Sequence, residues 1–212
     1  MLRQCIEATN INKKFIELST KGTEVKSFNV EGAQPIEVPE KKVYRYRKWT
    51  LDNKIHVVVR SEVDAYIKEG ENNVFIKVCA LNECQPQMDW KQNHELNRGA
   101  LISSELRNNL CKICKWLCQA ALAECNTFKI GFVTKPNPKE AKHSVLVVED
   151  MTANTLSQTV NFRIKDSWSI VKTLADIMSR QDDGVYSFVK QAYKQSIKIY
   201  GVPEKEEEDT EA

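Results

Sequence analysis

The chain has 212 residues, 42% of them hydrophobic and 28% charged, with a formal net charge of +2. That is enough apolar material for one domain with a substantial core and too much for a disordered chain. The charge is uneven: residues 203–212 hold six acids and one base, leaving 30 basic against 23 acidic side chains, or +7, in the rest.

A basic domain over 1–202 suits phosphate-bearing partners, and an acidic tail over 203–212 is expected to stay disordered. No run of about 18 apolar residues exists to span a membrane. Seven cysteines without a secretory signal predict reduced thiols in a cytoplasmic protein rather than a disulfide framework.

In chain order, Ile6, Ile11, Phe15 and Leu18 predict a short helix over 3–18, ended by Lys21-Gly22. Gly22, Gly32, Pro35 and Pro39 break the pattern over 19–40, which is either a functional loop or a surface insertion. An antiparallel ribbon is then expected from Val43 to Ala80. Its first strand runs from Val43 to Leu51, with Asp52-Asn53 as a tight turn. Its second, Ile55 to Tyr66, alternates an apolar face (Ile55, Val57, Val59, Ser61, Val63, Ala65) with a polar one carrying Arg60, Glu62 and Asp64. Its third alternates Val74, Ile76, Val78 and Ala80 with Phe75, Lys77 and Cys79.

A polar connection over 82–97 leads to a predicted long helix, Gly99 to Ala123. Ile102, Leu106, Leu110, Ile113, Leu117 and Ala121 form its apolar stripe, while Arg107, Lys112 and Lys115 point away. Cys111, Cys114 and Cys118 border the stripe; with no second CxxC or histidine pair to complete a tetrahedral site, they are expected to be packed thiols. Strands follow at 127–135 and 143–150, then a short strand or irregular lead-in over 157–164. Asp166 is placed as the N-cap of a helix through Met178, and a last hairpin spans 185–190 and 196–202. The fold class is α/β of the α+β type, a mixed, largely antiparallel sheet with packed helices.

Glu62 and Asp64 could share a divalent cation, as in a metal-dependent phosphodiesterase. The neighbouring strand offers Phe75, Lys77 and Cys79 on that face and no carboxylate, so an ion pair with Lys77 is expected in place of a metal, with no catalytic residue and no cofactor. Tyr44-Arg45-Tyr46-Arg47-Lys48-Trp49 interleaves aromatic faces with cations, as single-stranded RNA binders do, or else is a surface strand whose rings complete the core.

Ile6-Glu7-Ala8-Thr9-Asn10-Ile11-Asn12, Tyr44 to Trp49, Arg60-Ser61-Glu62-Val63-Asp64, Leu81-Asn82-Glu83, Asp89-Trp90-Lys91-Gln92, Arg98-Gly99-Ala100, Glu105-Leu106-Arg107-Asn108-Asn109 and Lys198-Ile199-Tyr200 occur in one order. Together they resemble the D-subunit family of eukaryotic translation initiation factor 3, over the later part of its cap-binding domain. The resemblance implies a shortened form of a non-catalytic relative of decapping and exonuclease enzymes. Its partners would be 5′-capped messenger RNA, the other subunits of the factor and the small ribosomal subunit. It equates Glu7 with the first acid motif of those enzymes and Glu62 with Asp64 with the second. The third falls on Lys77-Val78-Cys79 or on Phe75-Ile76-Lys77, and both lack the acid. Thr9 and Asn12 would lie on the cap-lining helix, with Lys13 where relatives carry histidine, and residues 19–40 would match a gate. Arg45, Arg47 and Arg60 are the expected phosphate contacts. The alternatives are an active Mg²⁺-dependent RNA-cleaving enzyme and a scaffold subunit without RNA contact.

Overall fold

The structure, a computed structural model, describes residues 2–21, 43–83, 90–136 and 142–203. It has the mixed α/β content expected, in two compact units, Met1–Trp168 and Ser169–Ala212. The expected tail and most of the 19–40 loop lie outside the described residues.

The first unit opens with α1 (Leu2–Ser19). Then β1 (Val43–Thr50) and β2 (His56–Val63) pair antiparallel as a separate two-stranded sheet. Their turn is wider than the two residues expected. Thr50 and His56 are the last pair, and Asp52 Oδ1 accepts from the N–H groups of Lys54 (2.8 Å) and Ile55 (2.9 Å), an Asx arrangement that closes a longer loop.

The larger correction comes at Asp64. The expected continuous strand to Tyr66 stops there, and β3 (Ala65–Glu69) enters a different sheet of order β3-β4-β5-β6, with β4 (Asn72–Asn82), β5 (Thr127–Thr134) and β6 (Ser144–Thr152). The β3–β4 and β5–β6 pairs are antiparallel and β4–β5 is parallel, from Ile76↔Thr127 to Asn82↔Val133. A parallel pair needs a long crossover. It is supplied by α2 (Trp90–Asn108) and α3 (Leu110–Ala123), so the long helix expected over Gly99 to Ala123 is broken at Asn109.

Helix α2 also begins earlier than expected, at Trp90, which is fully buried with its ring 5.7 Å from that of Phe132. It is kinked where Asn97 leaves helical geometry (φ −155°, ψ 78°). Across the break Leu110 swings outward, while Ile102, Leu106, Ile113 and Leu117 stay buried. Of the short strand or irregular lead-in expected over 157–164, residues 157–159 belong to helix α4 (Ala153–Thr159), whose N-cap Thr152 accepts from the Thr155 N–H at 3.1 Å, and 160–163 are irregular.

The central strands are covered on both faces, as parallel neighbours require. Cys79, Leu81, Phe128, Ile130 and Phe132 pack with α2, α3 and Leu156, whereas Ile76, Val78, Ala80 and Val133 pack with Phe15 of α1. Gly131 lets α1 approach, because a Cβ there would collide with the Phe15 ring.

Helix α5 (Ile164–Met178) starts before Asp166, which therefore sits in the first turn, where its charge suits the helix dipole, and receives Arg163 Nε at 3.0 Å. In the second unit β7 (Val185–Lys190) and β8 (Ile197–Val202) form the expected antiparallel hairpin, paired from Val185↔Val202 to Lys190↔Ile197. Among the described residues no helix is long and apolar enough to cross a membrane.

Candidate functional site

Strand β3 pairs with β4 only as far as Ile76, so the next N–H groups on that edge of β4 need other acceptors. Two side chains supply them. Asp64, freed from the β2 ladder, accepts from the Val78 N–H at 3.0 Å, and Asn12 Oδ1 on α1 accepts from the Ala80 N–H at 2.8 Å. Lys77 then points its Nζ to 2.8 Å from Asp64 Oδ2, with the side chains of Lys77 and Asp64 only 12% and 7% exposed.

Around this edge lies a polar pocket of about 350 Å³. It is bounded by Asn12 of α1, Arg60 and Glu62 of β2, the Asp64–Lys77 pair, and Lys115 and Gln119 of α3. Five of the positions singled out in the sequence, Asn12, Arg60, Glu62, Asp64 and Lys77, therefore share one cavity. Arg60 is exposed at its rim, its guanidinium 4.8 Å from the centre of the Tyr44 ring.

The donor set does not fit a divalent cation. Asp64 Oδ2 is committed to an ammonium and a backbone N–H, Glu62 is the one other acid lining the pocket, and the acid position of the third motif is Lys77 or Phe75 in the two registers. Among the described residues no group of three or more His, Cys, Asp or Glu side chains could hold a metal ion. Cys79 is fully buried beside Leu81 and Phe128, and burial pushes its thiol well above the usual range.

The remaining positions lie elsewhere. Arg45 and Arg47 occupy the opposite face of β1 from Tyr44, turned toward the end of α3. Arg45 Nη1 donates to the Ala123 carbonyl at 2.6 Å and Nη2 meets Glu124 at 3.0 Å, while its guanidinium lies 4.4 Å over the Phe75 ring. Arg47 reaches the same carboxylate at 3.4 Å and stacks 4.5 Å from the Trp49 ring. Glu124 is the left-handed C-cap of α3 (φ 59°), so these arginines satisfy a helix terminus where cations are favoured.

Glu7 lines a second, apolar cavity of about 820 Å³ between α1 and the β5–β6 face, walled by Ile11, Phe15, Val133 and Val145. Its carboxylate bonds Lys135 Nζ (3.0 Å) and His143 Nε2 (2.9 Å), and hydrogen bonding from those two holds its pKa below the ordinary value. Thr9 turns its hydroxyl back onto the Cys5 carbonyl at 2.8 Å, and Lys13 is on the exposed side of α1.

Three polar residues of the pocket, Lys115, Gln119 and Ser61, were not marked as site residues by the sequence. Lys115 carried a signal as part of the basic stripe of its helix, and Gln119, one turn on, carried none. Ser61 was visible as the lone hydroxyl in a row of valines, on a face assigned to the core. It is 7% exposed, and its Oγ has no hydrogen-bond partner.

The family model for eukaryotic translation initiation factor 3 subunit 7 (eIF-3) matches residues 3–201. The chain is similar to the D subunit of eukaryotic translation initiation factor 3 from Pyricularia oryzae, at 34% identity over 93% of this chain and 38% of the relative. It is similar to the D subunit from Nasonia vitripennis at 33% identity (97% and 40%) and to the one from Arabidopsis thaliana at 34% (93% and 35%). It thus spans well under half the length of these curated relatives.

Proposed function

Because the chain belongs to the eukaryotic translation initiation factor 3 subunit 7 family, we propose that it serves translation initiation as part of that factor, gripping RNA in its polar pocket without cutting it. In this reading the 5′ cap and adjacent nucleotides of a messenger RNA are the ligand. The chain works in the cytoplasm with the other subunits and the small ribosomal subunit, as a non-catalytic relative of decapping and exonuclease enzymes.

One observation carries the reading: the Lys77 ammonium sits on Asp64 where a hydrolytic metal would need open carboxylate oxygens. Lys77 balances that acid, while the exposed Arg60 beside Tyr44 sets a phosphate donor next to an aromatic face. Asn12 helps build the pocket wall through its bond to β4 rather than as a mobile contact.

Binding of capped and uncapped RNA across a salt series, in EDTA and in Mg²⁺, tests this. Binding should survive EDTA, and the uncapped RNA should be lost first as salt rises, because phosphate contacts are salt-sensitive and base stacking is less so. Shortened or decapped RNA in Mg²⁺, abolished by Asp64→Ala, would make the chain an enzyme. Failure to bind either RNA at low salt would make it a scaffold.

A further inference from the structure

The second unit carries a surface with its own chemistry. From Gly184 to Pro203 the chain has three lysines, four aromatic rings and no acid. Strands β7 and β8 pair so that Val185, Ser187, Val189, Lys198, Tyr200 and Val202 share one face, and all six are exposed. The opposite face holds Tyr186 and Ile199, both half-buried. Lys198 and Tyr200, two residues apart on the open face, thus set an ammonium beside an aromatic ring.

The tip of the hairpin repeats that combination. Tyr193 is fully exposed, and its backbone is left-handed (φ 61°), a conformation that a bulky side chain adopts only against a steric cost. Its ring returns no packing for that cost. The loop is nonetheless held in shape, because Lys190 Nζ donates to the Gln191 carbonyl at 3.1 Å and to the Lys194 carbonyl. An outlier that the surrounding chain maintains, and whose side chain is wholly in solvent, points to recognition rather than folding. Lys194, next in sequence, is also exposed, and the hairpin offers neither it nor Lys198 an acid partner.

From these residues we infer that the β7–β8 hairpin is a second RNA contact, where bases of a single strand stack on Tyr193 and Tyr200 while Lys194 and Lys198 hold its phosphates. The inference takes its ligand class from the RNA-binding reading and adds a site that needs neither a cap nor the polar pocket. A single strand fits because every base has a face to lay on a tyrosine and a phosphate for an ammonium, whereas a duplex keeps its bases stacked inside the helix. An apolar protein surface would cover the three exposed valines but would bury Lys198 among them without a counter-charge.

Ultraviolet crosslinking of the full chain to a short uncapped oligouridine, with adducts mapped by mass spectrometry and affinities read by fluorescence anisotropy, tests this. Adducts are expected on the peptide that holds Tyr193 and should persist in Arg60→Ala, which alters the pocket alone. Tyr193→Ala should weaken binding about tenfold, within the range for one stacked base, and Tyr193→Phe, which keeps the ring, should bind as the wild type does. Lys194→Gln with Lys198→Gln should lower the slope of log affinity against log salt by about 1.4, the share of two single-strand phosphate contacts. These side chains are exposed, so thermal melts of the variants should stay with the wild type.

Lys54→Gln with Lys68→Gln removes the same two charges at exposed positions of the first unit. If that pair lowers affinity and slope as much as the hairpin pair does, or if RNA binds without hairpin adducts and Tyr193→Ala leaves its affinity unchanged, the hairpin site is refuted while RNA binding by the wild type stands. Adducts confined to the hairpin, with affinity indifferent to Arg60→Ala, would uphold the hairpin and remove RNA from the pocket. If the wild type binds no RNA, the functional reading itself fails.

Discussion

Lys77 Nζ lies 2.8 Å from Asp64 Oδ2, in a pair whose two side chains are almost wholly withdrawn from solvent and whose acid also receives the Val78 N–H. The pair joins the point where the chain leaves the β1–β2 sheet to the edge of the main sheet. It is structural in the same act by which it occupies the carboxylate.

Breaking this pair from one side leaves an uncompensated buried charge, which costs about 3–5 kcal/mol. Asp64→Asn, which can still accept from Val78, is expected to lower unfolding free energy by roughly that amount in urea titrations. Asp64→Asn with Lys77→Met should lose less than Asp64→Asn alone, since the stranded ammonium is gone too. Additive losses would show that the two side chains are not coupled.

Arg45 and Arg60 should separate stability from binding. Arg45→Lys forfeits the planar fork that reaches both the Ala123 carbonyl and Glu124, at a cost of about 1.5–3 kcal/mol for a charged hydrogen bond lost. Its RNA affinity, measured on folded protein, should be unchanged. Arg60→Ala, at an exposed position, should change stability by less than about 0.5 kcal/mol and weaken RNA binding. Thermal melts and anisotropy on the same samples decide the matter.

Gly131→Ala drives a methyl group against the edge of the Phe15 ring, which is itself buried between α1 and the sheet. Overpacking of this kind costs about 1–3 kcal/mol. Gly131→Ala with Phe15→Leu should recover part of the loss, and a melt in which the double variant is worse than either single one would contradict the contact.

Glu7 contributes a pH dependence with a definite sign. Its pKa is depressed in the fold by hydrogen bonds from Lys135 and His143. Its stabilisation is therefore complete above the unfolded value of about 4.3 and is lost as pH falls through the lower folded value. The side chain is 35% exposed, so the effect at neutral pH should be about 1 kcal/mol or less. The difference in stability between wild type and Glu7→Gln should be flat from neutral pH down to that range and shrink below it.

Thiol reactivity should follow burial. Cys5 and Cys111 are exposed, whereas Cys79 and Cys125 are buried, with burial raising the Cys125 thiol to about 11. At pH 8 iodoacetamide should modify the first pair in the native protein and reach the second only after denaturant is added, because about a hundredfold less thiolate is present at Cys125. Mass spectrometry of the labelled peptides reads this directly.

Strand alternation was legible as far as Val63, because one face of β2 is buried and the other is not. Beyond it the sequence keeps alternating through Ala65, so nothing marks Asp64 as the residue that turns inward to serve another strand. That need arises from where β3 stops, a tertiary fact. The helix break at Asn109 was hidden for a similar reason, since Leu110 keeps the apolar period while facing solvent. Period two puts Arg45, Arg47 and Trp49 on one face of β1. Which way that face looks depended on the α3 terminus, whose unsatisfied carbonyls attract the guanidinium groups. Trp90 sat in a polar run, and only the pocket beside Phe132 makes it a core residue.

The parallel pairing of β4 with β5 carries a kinetic consequence. Neither strand can zip onto the other until everything between Asn82 and Thr127, both crossover helices included, has been synthesised and has closed the loop. Until then β4 is held only along its other edge, by β3 and, beyond Ile76, by Asp64 and Asn12. Asp64 and Asn12 are therefore early holdfasts of the sheet, and part of the stability lost with either should appear as slower folding.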